Sequence, residues 1–77
     1  MLRSMPNNNV ARYDGDKIRD DMALRGWNAS ELGRQAGVSQ HVMSRFLRGI
    51  YQTPANAIAI ALALGYHSKR YLVRRAK

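Results

Sequence analysis

The segment NASELGRQAGVSQHVMSRFLRG, residues 28–49, contains two helix starts and two helix stops. Asn28 offers a side-chain oxygen to the free N–H groups of a helix start, and Glu31 follows three residues later, the spacing of a capping box. Trp27 and Leu32 stand at the two positions of a hydrophobic staple around that cap. Gly37 falls where a left-handed residue ends a helix, which gives a first helix from Ala29 to Ala36. Ser39 caps the next one, which runs from Gln40 to Arg48 before Gly49. Stepping about 100° per residue from Gln40, Ser44, Arg48, His41 and Arg45 fall at about 40°, 80°, 100° and 140°. Val42, Phe46, Met43 and Leu47 fall at about 200°, 240°, 300° and 340° on the same wheel. Polar and apolar residues thus take separate faces without exception. Where two short helices cross closely, the position facing the partner must be small, and Gly33, four residues before Gly37, fits that requirement.

The rest of the chain reads as more helix around this unit. Residues 1–13, MLRSMPNNNVARY, lack helical periodicity and contain Pro6 and three consecutive asparagines, which predicts a flexible arm made basic by Arg3 and Arg12. The folded domain is then 14–77. Its first helix starts near Asp14 or Asp16 and passes through Ile18, Met22 and Leu24 to a stop at Gly26. IYQT, residues 50–53, reads as a connection ending in the cap Thr53, with Pro54 at the first helical position. The helix that follows is apolar nearly all round, with Ile58, Ile60, Leu62 and Leu64 among alanines, which predicts a central buried helix ending at Gly65. A last short helix from about Ser68 turns Tyr71 and Leu72 inwards and Lys69, Arg70, Arg74, Arg75 and Lys77 outwards. No strand pattern or repeat is visible, so the expected class is all-α, a compact five-helix bundle.

Composition narrows the partner. A chain of 77 residues buries only roughly 60 to 70% of the surface its unfolded form exposes. It contains no cysteine, so the fold rests on packed apolar side chains without a disulfide or thiolate metal staple. Lysine and arginine outnumber aspartate and glutamate by 13 to 5, a formal net charge of +8. That balance points to a polyanion, with nucleic acid ahead of an anionic membrane. The longest apolar run, residues 57–65, is about half what a bilayer requires, and no export signal is visible, so a cytoplasmic protein with no membrane partner is expected. His41 and His67 have neither cysteine nor paired carboxylates around them in the sequence, which argues against a metal site, and His67 reads as structural. The serines lack a plausible base and orienter and there is no glycine-rich phosphate loop, so an enzyme is not expected and no cofactor is called for.

From about Asp16 to Leu72 the chain resembles the Cro and phage-repressor helix-turn-helix family, also called the xenobiotic-response-element family. NASELGRQAGVSQHVMSRFLRG follows its motif, and TPANAIAIALALGY, residues 53–66, resembles its fourth helix. The resemblance implies a lambda-repressor-like bundle that binds double-stranded operator DNA, usually as a homodimer on a palindromic site. It places Gln40 and His41 where the family reads base edges, Arg45 one turn on, and Arg48 where members contact bases or backbone. Ala29 stands where many members carry a phosphate-clamping glutamine, and His67-Ser68 replaces the usual single capping serine.

The candidate DNA-contacting set is therefore Gln40, His41, Ser44, Arg45 and Arg48, with Arg34 and the capping residues Asn28 and Ser39. Glutamine pairs with adenine and arginine with guanine through two hydrogen bonds each. A merely solvated face would mix in acidic residues, yet none occurs from Leu32 to the C-terminus. The expected function is a sequence-specific transcriptional regulator, a repressor of phage or mobile-element type acting at the nucleoid. The alternative is an antitoxin-like interaction module that masks a protein partner and autoregulates through DNA. For the basic C-terminus, phosphate contact and a solvated tail both remain open.

Overall fold

A computed structural model describes residues 12–73. They form four α-helices, α1 (Gly15–Leu24), α2 (Ala29–Ala36), α3 (Gln40–Leu47) and α4 (Pro54–Leu64), followed by a single 3-10 turn, Ser68–Tyr71. Each helix start carries the cap its sequence provides. Asp14 accepts from the Lys17 N–H at 3.1 Å, Asn28 from Glu31 at 2.8 Å, Ser39 from Val42 at 3.2 Å and Thr53 from Asn56 at 3.2 Å. The box at α2 is half formed. The Glu31 carboxylate turns away from Asn28 to accept from Arg34 and Gln35, one turn further along its own helix.

α2 packs against α3 and α4, α1 against α3, and the 3-10 turn closes over α1 and α4. The centre is made by Ile18, Leu32, Met43, Phe46, Ile60, Leu64 and Tyr71, all essentially inaccessible. Two glycines permit the close crossings. A Cβ on Gly33 would stand 2.6 Å from the Val38 carbonyl oxygen, and one on Gly15 would collide with that of Leu47. The first approach locks α2 to the turn before α3, and the second seats the start of α1 on the end of α3.

Several expectations change. Arg12 and Tyr13, assigned to the arm, belong to the folded domain. Tyr13 is buried and stacks on Phe46 with ring centroids 5.7 Å apart, while an isolated antiparallel bridge pairs it with Leu72. The rest of the arm, residues 1–11, lies outside the described residues, as do Arg74, Arg75 and Lys77. The fifth helix is only the 3-10 turn, capped by His67, whose Nδ1 accepts from the Lys69 N–H at 3.1 Å. Leu72 faces outwards, and so does Leu24, which lies off the Ile18–Met22 stripe of α1.

α4 is buried on one side only, through Ala57, Ile60, Ala61 and Leu64, while Ile58 is 51% and Leu62 70% exposed. The reason is the small number of partners: among the described residues, α2 and the 3-10 turn are the elements that pack closely on α4, and both lie on its buried side. Asp21, on the same helix as Ile18 and Met22, is buried with them. It accepts from Arg70 Nε at 2.8 Å, from an Arg70 terminal nitrogen at 3.1 Å and from the Tyr71 hydroxyl at 2.6 Å. Trp27 stays half-buried against the core, with the Arg25 guanidinium between its ring and that of Tyr66.

Candidate nucleic-acid interface

α3 is held at both ends and along its inner side. Its start is closed by Ser39. At its end, Gly49 takes a φ of 78° that only glycine adopts without strain. Met43, Phe46 and Leu47 are buried and Val42 half-buried, so the inner half of the helical wheel is anchored in the core. Gln40, His41, Arg45 and Arg48 are exposed and Ser44 is half-buried. Five of the eight candidate residues therefore share one outward face, as the angular separation predicts.

That face has two edges. Gln40 and Ser44 border a groove of about 400 Å³ lined also by Arg19, Trp27 and Ala29 and by the buried Met22 and Leu47. Arg48 borders a second groove, of about 510 Å³, with Asp14, Asp16 and again Arg19. Arg19 thus stands between the two, in a 3.3 Å ion pair with the exposed Asp16. On the other side, the Arg45 guanidinium lies 5.9 Å from the centroid of the Tyr51 ring.

The remaining three candidates are differently employed. The Asn28 and Ser39 side-chain oxygens are taken up in capping, which leaves their neighbourhood as two helix N-termini with positive dipole ends. Arg34 is paired with Glu31 on α2. The hydrogen bond from Arg34 holds the Glu31 carboxyl below its ordinary value, helped by that from Gln35. By contrast, among the described residues neither Arg45 nor Arg48 is paired with a carboxylate.

Two residues of this region were not anticipated. Arg19 reaches α3 only through the α1–α3 packing that Gly15 permits, a tertiary contact with no local sequence signal. Tyr51 sits in what reads as a plain connection; the signal for it is Gly49, whose left-handed turn folds the chain back towards Arg45. Among the described residues no group of His, Cys, Asp or Glu is arranged to hold a metal ion, and no helix is long and apolar enough to cross a membrane. Comparison with protein-family models, curated proteins and solved structures finds no match for this chain.

Proposed function

We propose that the protein is a sequence-specific double-stranded DNA-binding transcriptional regulator, of the phage or mobile-element repressor kind, that lays α3 in the major groove. One observation carries this reading: an α-helix anchored by its apolar half presents Gln40, His41, Ser44, Arg45 and Arg48 together, with no acidic side chain on that face. α2 and α3, joined through Gly37, are then a helix-turn-helix unit, in keeping with the sequence resemblance. Eight residues make a helix about 12 Å long, which spans about three to four base pairs. Gln40 suits adenine and Arg45 guanine, each pair contributing about 1 to 3 kcal/mol of discrimination. The N-termini of α2 and α3, together with Arg19 and Arg34, suit the flanking phosphates and fix the register.

A second reading adds a protein partner. The exposed Ile58 and Leu62 of α4, with Tyr66, His67 and Ser68, line a shallow groove of about 240 Å³ made without α3. Contact there with a second copy or an antitoxin's target leaves α3 free for DNA. Sedimentation of the protein and of Leu62→Asp, alone and on a duplex, separates these: self-association lost in the variant assigns the strip to a second copy.

The direct test of the DNA reading is a titration of isotopically labelled protein with a short duplex. Amide shifts concentrated between Ser39 and Arg48 are expected. Shifts that spare this segment overturn the reading.

A further inference from the structure

The way α3 stops brings the chain back over its own last turns. The Gly49 N–H donates to the Phe46 carbonyl at 3.0 Å and the Ile50 N–H to the Arg45 carbonyl at 3.0 Å, the paired bonds of a Schellman stop. Two residues later, Gln52 is tied on all its hydrogen-bonding sides. Its Oε1 accepts from the N–H groups of Arg12 and Tyr13, and its Nε2 donates to the carbonyls of Tyr13 and Phe46. Tyr51 lies between these anchors, so its backbone is fixed from both sides.

Core packing does not account for its ring, which is 50% exposed. What the ring meets is Arg45, with the guanidinium carbon 5.9 Å from its centroid. A guanidinium held by an aromatic ring keeps its in-plane N–H donors free, because the ring attracts the cation without accepting those hydrogen bonds. An exposed arginine without such a hold samples many rotamers and offers the same donors to phosphates and to guanine alike.

We propose that Tyr51 is a positioning residue that orients Arg45 towards a base edge and so sets the strength of guanine preference at one position of the bound site. This rests on the DNA-reading function of α3 proposed above. An attraction of this kind at an exposed site corresponds to about a two- to fivefold effect. The phenol oxygen plays no part, so the ring alone suffices.

The test uses Tyr51→Ala, Tyr51→Phe, Arg45→Ala and the double variant Tyr51→Ala/Arg45→Ala. The probes are the duplex selected by the parent protein from a random pool and versions substituted at each base pair. Thermal melts confirm that each variant is folded, and the Arg45 Nε–H resonance reports ring contact without DNA. The expected result has four parts. Arg45→Ala relaxes preference at one position; Tyr51→Ala relaxes the same position about two- to fivefold; Tyr51→Phe retains it; and the double variant is no more relaxed than Arg45→Ala. Retained preference in Tyr51→Ala, or a uniform loss of affinity on all duplexes, overturns the positioning role while leaving α3 as the reader. No change in preference with Arg45→Ala overturns both.

Discussion

Gly33 shows how a single hydrogen atom holds the unit together. In an exposed helix interior, alanine is favoured over glycine by about 1 kcal/mol. Here the added methyl would meet the Val38 carbonyl oxygen at 2.6 Å, and such overpacking costs about 1 to 3 kcal/mol. The neighbour is a backbone oxygen that cannot swing aside, which puts the clash at about 2 to 3 kcal/mol and leaves a net loss of about 1 to 2 kcal/mol. Gly33→Ala should therefore lower the melting temperature by roughly 4 to 16 °C, at about 4 to 8 °C per kcal/mol in a domain this small. Gly33→Leu should unfold the domain. An alanine variant as stable as the parent would show that the α2 crossing is looser than described. Gln52 makes a complementary case. Its amide satisfies two N–H groups and two carbonyls, so Gln52→Glu, which keeps the shape and loses the donor, leaves the Phe46 and Tyr13 carbonyls facing a carboxylate. A loss of about 2 to 3 kcal/mol is expected from urea unfolding, and an unchanged midpoint would contradict the clasp. Gly33 was legible in the sequence because its role follows from its spacing to Gly37. Gln52 was not, since its partners lie about forty positions back, at Arg12 and Tyr13, as well as at Phe46.

At the scale of elements, the caps and the division of α3 into two faces were readable because both are local: 3.6 residues per turn and a side chain at a helix start suffice. The exposed side of α4 was not, because an apolar helix reveals its free face only when its neighbours are counted. The same holds for the tie between α1 and the 3-10 turn. Hydrogen bonds from Arg70 hold the Asp21 carboxyl below its ordinary value of 3.8, against the burial that pushes it up. A depressed carboxyl contributes stability that is present above its unfolded value and is lost as pH falls through its folded one. Unfolding midpoints of the parent should therefore be insensitive to this group above about pH 5 and should fall as acid is added below pH 3.8. Arg70→Ala leaves the buried carboxylate with only the Tyr71 hydroxyl and should be clearly destabilising. Asp21→Ala leaves Arg70, one-third exposed, free to turn to water and should cost less. Denaturant titrations of both variants between pH 7 and pH 2.5 check the order and the sign; a more stable Arg70→Ala would refute the tie.

For the whole molecule, charge is distributed unevenly along the chain: all five acidic residues lie between Asp14 and Glu31, and the net charge of +8 comes from a chain with none after that. Asp21 and Glu31 are each paired within the fold, with Arg70 and Arg34. Asp16 is paired with Arg19 beside α3, and Asp14 borders the same groove as Arg48, so the excess of cations over the whole chain sets the field that a polyanion meets. Arg19, between the two grooves beside α3, is placed for a phosphate. Arg19→Ala should weaken binding to selected and random duplexes alike, and the slope of log affinity against log salt should flatten by about 0.9. An unchanged slope would remove Arg19 from the interface. The central claim is that the outward face of α3 reads base pairs, and it is tested most directly by selecting bound duplexes from a random pool with the parent, Gln40→Ala and Arg45→Ala. The parent should enrich one motif, and each variant should lose preference at a different single position while retaining the rest. A parent that enriches no motif, or variants that both enrich the parental motif unchanged, would contradict the claim.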